Sequence, residues 1–204
     1  MICAVNNSGS SIKFFDVVAD KLGGRLASNF ELFLPREMAS IFFFSRHQLA
    51  ITFTKIPSHH CGFELLDPVV NKTQQLFHPG AVFKRDEVGK PIGVFRLGGN
   101  FLACYEKSGF IINKHGGLVD GYSKIIWTGA ASAIVAHRQY VLAFTAHSIE
   151  VRSFGGPISL VVQTIHGSYT PLNVPGPEER VFVLNTSTRE AAVIEFLGSK
   201  EIWN

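Results

Sequence analysis

Charge is scarce in this chain of 204 residues: Asp, Glu, Lys and Arg make up 17% of it, and 19 basic against 16 acidic residues leave a net charge of +3. So balanced a chain lacks the electrostatic footprint of a nucleic-acid binder or of a protein drawn to acidic membranes. The short basic clusters, Lys84-Arg85 and Lys13 to Arg25, read as solvated loops. Cysteine is sparse as well. Cys3, Cys61 and Cys104 are odd in number and show no CxxC spacing, which argues for reduced thiols packed near strands and for a cytosolic compartment. No apolar run approaches the ~18 residues that a membrane-spanning helix needs, and the first residues show no charged segment followed by an apolar one.

What the chain has in quantity is hydrophobic residues, 46% of the total, with 18 Phe among them. That composition is far from the disordered class and sufficient for a buried core. Phe stands repeatedly beside Val, Ile or Leu, a clustering that favours strands. The segments that read as strands are four to eight residues long and are separated by Gly, Pro, Asn, Ser and His. Two windows compete weakly for a helix, Phe14 to Leu26 and Ala130 to Ala136. Gly23-Gly24 interrupts the first, and the second is short with Ile134-Val135 inside it.

One hairpin pattern recurs five times. Ile2 to Val5 precedes Ile12 to Asp16, Leu49 to Phe53 precedes Gly62 to Asp67, and Phe101 to Tyr105 precedes Gly109 to Asn113. Tyr140 to Phe144 then precedes Ser148 to Arg152, and Val181 to Asn185 precedes Ala192 to Phe196. With Ile12, Phe63, Phe110, Ile149 and Val193 as equivalent anchors, the spacings are 51, 47, 39 and 44 residues, near the period of roughly 40 to 50 for β-propeller blades. Ile41 to Phe44, Ile92 to Phe95 and Ala133 to Ala136 each end shortly before a repeated hairpin and supply a further strand per blade. The expected fold is all-β, with four-stranded antiparallel blades that stack to cover each other's faces. An all-β sandwich is the rival. A seven-bladed ring needs on the order of 300 residues, so about five repeats predict part of a larger ring, and the lack of a strand before Ile2 predicts N-terminal truncation. Residues 1–204 are read as one domain.

Enzymatic chemistry is not legible. His59-His60-Cys61 has no second ligand pair at zinc spacing, and adjacent residues of an extended segment point apart. Gly89-Lys90-Pro91 lacks the flanking residues of a phosphate cradle, and no nucleophile-elbow or zincin pattern occurs. His137 and His147 read as turn residues. Glu64 and Glu150 alternate with apolar neighbours and are expected to face solvent or a groove between blades. Trp127 and Tyr140 read as packing anchors between blades. The sequons at Asn6, Asn71 and Asn185 read as polar turns. No catalytic, cofactor-binding or metal-binding residue is assigned.

From Gly93 to Gly167 the chain resembles the citron homology domain, a propeller family at the ends of Rho guanine-nucleotide exchange factors and certain kinases and in vesicle-tethering proteins. The residues that carry the resemblance are Phe101, Leu102, Cys104 and Tyr105, then Phe110, Asn113 and Gly116, then Trp127. They continue with Tyr140 and Phe144, Ile149, Glu150 and Val151, and close on Gln163 and Gly167. Ala103 stands where the family usually has a second leucine. Upstream, Phe33-Leu34-Pro35-Arg36-Glu37, Gly62-Phe63-Glu64-Leu65 and Pro91 to Leu97 are most like the fungal exchange-factor branch.

The resemblance implies a non-catalytic module that binds proteins, a small GTPase or cortical signalling proteins among them, and that regulates an exchange domain lying elsewhere in a parent polypeptide. It implies a cytoplasmic protein recruited to the cell cortex through that parent, with no cofactor. The propeller of a vesicle-tethering or vacuolar sorting protein is the first alternative, and a stand-alone propeller enzyme the second.

Overall fold

The computed structural model describes residues 2–5, 9–19, 24–45, 48–56, 60–76, 85–121, 124–154, 159–172 and 180–196. The chain divides into two compact units, Met1–Val82 and Phe83–Asn204. In the first unit, β1 (Ile2–Val5), β2 (Ser11–Val18) and β3 (Arg25–Phe33) form a three-stranded sheet, and β4 (Met38–Phe43), β5 (Leu49–Phe53), β6 (Phe63–Asp67) and β7 (Lys72–Gln75) a four-stranded one. The second unit opens on a single helical turn, α1 (Arg85–Val88). Its first sheet holds β8 (Pro91–Leu97), β9 (Asn100–Tyr105), β10 (Ser108–Ile112) and β11 (Ile125–Ile126), and its second β12 (Ala133–His137), β13 (Tyr140–Phe144), β14 (Ser148–Ser153) and β15 (Leu160–His166). β16 (Tyr169–Pro171), β17 (Arg180–Asn185) and β18 (Ala191–Glu195) make the last.

Every sheet is an antiparallel meander, with neighbours in sequence paired in space. All five expected hairpins are present as β1–β2, β5–β6, β9–β10, β13–β14 and β17–β18. The segments expected to complete the blades are β4, β8 and β12, and both windows weighed for helix are extended among the described residues.

Stacked sheets explain the apolar runs. On the β12–β15 sheet, Ile134, Val141 and Ala143 join Leu102, Cys104, Ile111 and Trp127 in a core shared with the preceding sheet. Their neighbours Val135, Leu142 and Phe144, with Ile149 and Val151, join Val181 and Val183 of the following sheet. Successive strand residues point to opposite faces. Because both faces are covered, Tyr140–Phe144 reads as an unbroken apolar segment and not as an alternation. The first unit repeats the arrangement: Ile12, Phe14 and Leu32 pack with Met38, Leu49, Ile51, Phe53 and Leu66 of its second sheet.

Antiparallel order gives each four-stranded sheet two ends. The turn between its second and third strands lies at one end, where the chain also leaves for the next sheet. The turn between the first and second strands lies at the opposite end, beside the third-to-fourth connection.

Cys104 on β9 is fully buried, and burial pushes its thiol pKa well above the ordinary value. The thiolate is the reactive form, so moderately alkaline buffer does not activate it. Maleimide labelling followed by peptide mass mapping is expected to leave Cys104 unmodified at pH 8 in the folded chain and to modify it in denaturant; labelling of the native chain at the denatured rate would contradict this packing.

Candidate functional site: inter-sheet connections and an end-face cleft

The connection from β11 to β12 is fastened to the sheets on both sides of it. Trp127 is buried, and its Nε1–H donates to the Tyr105 carbonyl (2.9 Å), while its backbone N–H reaches the Lys107 carbonyl (3.1 Å). Ala131 N–H donates to Glu106 O at 2.6 Å and Ser132 N–H to Phe144 O at 2.7 Å. Thr128 provides the charge-assisted contact. Its backbone N–H donates to Glu150 Oε2 at 2.7 Å, and its hydroxyl donates to the same oxygen.

Glu150, on β14, is fully buried. Its other oxygen accepts from Arg152 Nε, and the Arg152 guanidinium also donates to Ile126 O (2.9 Å) and lies 5.8 Å from the Trp127 ring centroid. A buried carboxylate is tolerable only when its lone pairs are met, and here a backbone amide, a hydroxyl and a guanidinium meet them.

The first unit holds a second copy of the device. Between β3 and β4, Leu34 N–H donates to Ser10 O (2.9 Å) and Met38 N–H to Gly9 O (2.8 Å). Arg36 from that connection donates to Glu64 on β6 and rests 4.0 Å over the Phe53 ring. Glu64 also meets His60 Nε2 at 3.1 Å, and His60 Nδ1 accepts the Gly62 N–H at 2.9 Å, which assigns the ring proton to Nε2. In both copies a glutamate on the third strand of one sheet holds the linker arriving from the previous sheet. Of the two positions expected for Glu64 and Glu150, solvent or a groove between blades, the first is corrected: they are 7% and 0% exposed.

The other family-motif residues divide between core and turns. Phe101, Leu102, Tyr105, Phe110, Phe144, Ile149 and Val151 are buried. Asn113 orders the turn after β10: its Oδ1 accepts from His115 N–H (2.8 Å) and Gly117 N–H (3.1 Å). Gly116 closes that turn with a φ of 80° and an N–H bond to Asn113 O (3.0 Å). Gly167 follows β15 with a φ of 130°, and a Cβ there would lie 2.6 Å from the Tyr169 ring. Tyr140 stacks on Phe196, centroids 5.1 Å apart, and Gln163 is exposed on β15.

His137 departs from its expected turn role: it is buried on β12 and stacks on Phe196 at 4.8 Å. Asn185 is a polar turn, its Oδ1 accepting from Ser187 and Thr188 N–H. Asn6, His59 and Lys84 lie outside the described residues. Among the described residues no group of three His, Cys, Asp or Glu is placed to hold a metal ion, and no helix is long and apolar enough to cross a membrane.

At the opposite end of the second unit, a cleft of about 340 Å³ opens between the turns Leu97–Asn100 and His137–Tyr140. Leu97, Ile111 and Phe154 line it along with Asn100, Arg138 and Gln139. Nothing in the sequence pattern singles out Arg138: two residues between paired strands signal a hairpin, but Arg-Gln is not a usual turn pair.

Sheets of four antiparallel strands, stacked face to face and joined by short linkers, define the β-propeller class. The chain belongs to the CNH domain family, whose model matches residues 1–171. Over 152 residues it is 32% identical to "Rho1 guanine nucleotide exchange factor 1" of Schizosaccharomyces pombe, covering 72% of this chain and 10% of that protein. It is 27% identical over 164 residues to "RHO1 GDP-GTP exchange protein 2" of Saccharomyces cerevisiae, covering 74% of this chain and 12% of that protein. The chain thus spans about a tenth of the length of these relatives. Among solved structures, "AfRom2 CNH domain" matches 99% of this chain and 61% of its own with a TM-score of 0.68 at 23% identity. "Kluyveromyces lactis Hsv2" matches 95% of this chain and 59% of its own with a TM-score of 0.56 at 10% identity. Both likenesses are likenesses of fold.

Proposed function

We propose that this chain is a non-catalytic protein-interaction module of a Rho-type GTPase exchange factor, acting in the cytoplasm and recruited to the cell cortex with its parent polypeptide. The observation that carries this reading is membership of the CNH family together with relatives whose names are those of Rho1 exchange factors. The architecture supports it: within each unit a buried carboxylate anchors a linker between sheets, which suits a frame that presents end-face turns to a partner. Small GTPases and cortical signalling proteins are the partner classes. The reading takes residues 1–204 as one domain, and the pairing of β17 with β16 and β18 in one sheet supports extending it beyond the matched residues 1–171.

In this reading the region positions or regulates exchange and contributes no group to it. Replacing the matching region of the Saccharomyces cerevisiae relative with this chain is expected to leave its exchange rate on Rho1 in solution within about twofold, and removing the region altogether to do the same. A loss of about a hundredfold on removal would place transition-state contacts in the region and overturn the non-catalytic reading.

A further inference from the structure

We infer that the outer edge of β18, with the groove beside it, receives an extended segment of a partner protein, which joins the sheet as an antiparallel fourth strand. This inference rests on the interaction-module reading and gives it a site and a mode of recognition. The hydrogen-bond ladder shows what the edge offers. Asn185 N–H donates to the Glu190 carbonyl and Leu172 N–H to the Phe182 carbonyl, each at 2.9 Å. Opposed residues of an antiparallel ladder alternate between bonding each other and turning away. Phe182 therefore turns to β16, and Val193 opposite it directs its N–H and C=O outward, as Ala191 and Glu195 do by the same alternation. Val193 is exposed, and among the described residues no strand pairs with this edge. Elsewhere the fold covers the equivalent edge: β7, β11 and β15 each lie antiparallel on the third strand of a sheet. The chemistry that fits β18 is the backbone of another strand.

The groove sets the side chains of that strand. Two clefts of about 350 and 280 Å³ share Gln163, Ile194 and Glu195. Val162 and Ile165 of β15 line them on one side and Ile194 with Phe196 on the other, along with Val151 and Val183. Glu195 is the charged residue of this lining, and Arg180 pairs with it at 3.0 Å. The groove thus calls for no charge, and apolar or β-branched side chains at every second position of the incoming strand suit it. A second copy of the chain does not fit the same place. The β12–β15 sheet stacks on one face of β18, and pairing two edges about a two-fold axis would put both stacked sheets on the same side, β15 of one copy against β14 of the other. A strand that carries no stacked sheet is what the groove admits.

Val193→Pro tests the edge without breaking the sheet. The N–H that it removes points away from β17, and edge strands tolerate proline, so the melting temperature is expected to fall by less than about 4 °C. The 204-residue chain is used to select from a displayed library of random short peptides, and the consensus peptide is then labelled for fluorescence anisotropy. The expected consensus carries β-branched or aromatic residues at alternate positions and no proline. Affinity should fall at least about tenfold for Val193→Pro, and equally, on the unaltered chain, for a peptide N-methylated at the residues that face β18. In hydrogen exchange the Val193 amide should be unprotected in the free chain and protected in the complex. A consensus without alternation, or an affinity indifferent to both backbone changes, would overturn the inference. So would a Val193 amide already protected in the free chain, whether the chain itself or a second copy covers it. A chain that selects no such peptide and yet forms a complex with a Rho-type GTPase leaves the module reading standing and removes only the site.

Discussion

Glu150→Ala is expected to destabilise the second unit by about 3–5 kcal/mol, the range found when one partner of a buried ion pair is removed. The substitution leaves the Thr128 amide and hydroxyl without their acceptor and strips the counter-charge from Arg152, whose side chain is 12% exposed. Glu150→Gln retains the shape and is expected to cost less, because the amide oxygen still accepts from Thr128. The contrast is Glu195→Ala: its partner is Arg180 at 3.0 Å, and with side chains 49% and 56% exposed the pair is well solvated, so the expected cost is below about 1 kcal/mol. Urea denaturation of the three variants gives the ordering. Equal midpoints for Glu150→Ala and Glu195→Ala would show that the linker is not held by the buried carboxylate.

Trp127→Ala is the second large effect, expected at about 3–5 kcal/mol as for other buried aromatic truncations. Trp127 belongs to the core shared by two sheets, with Leu102, Cys104, Ile111, Ile134 and Val141. Its removal opens a cavity there and leaves the Tyr105 carbonyl without the indole donor. Gly109 sharpens the expectation, since a Cβ at that position would lie 3.0 Å from the Trp127 ring. Trp127→Phe keeps part of the ring but loses the donor and should fall between wild type and alanine. Loss of protection at β9 and β12 in hydrogen exchange would accompany the alanine variant; unchanged exchange there would contradict a shared core.

The fold was legible in the sequence wherever strands are covered on both faces. Leu49–Phe53, apolar but for Thr52, and the unbroken apolar segments Phe101–Tyr105 and Tyr140–Phe144 read as they do for that reason, and each belongs to the second strand of its sheet. Outer strands gave weaker signals. β7 reads Lys-Thr-Gln-Gln and is mostly exposed, and β11 is two residues long, so neither carries an apolar pattern. The repeat anchors were right about order and imperfect about register. Ile149 pairs with the last residue of its partner segment, Phe144, whereas Phe110 pairs with a central one, Ala103. The turn between strands is two residues long before Ser108 and three before Ser148, so counting from an apolar residue does not land on the same rung.

The site was less legible, because its contacts join distant residues. Arg36 and Glu64 each stood inside a segment that marks the fungal branch, yet nothing in either segment announces that they meet. The same holds for Thr128 with Glu150, 22 residues apart. Alternation placed both glutamates correctly off the strand's apolar neighbours, but it cannot distinguish solvent from a buried polar linker that happens to cross that face.

The central claim, that this chain binds a signalling protein without catalysing exchange, is tested by titrating it into a Rho-type GTPase loaded with a fluorescent guanine nucleotide. Anisotropy reports complex formation and the decay of fluorescence reports nucleotide release in the same sample. The predicted result is a saturable rise in anisotropy while release stays at its spontaneous rate; accelerated release, or a flat anisotropy across the titration, would contradict it.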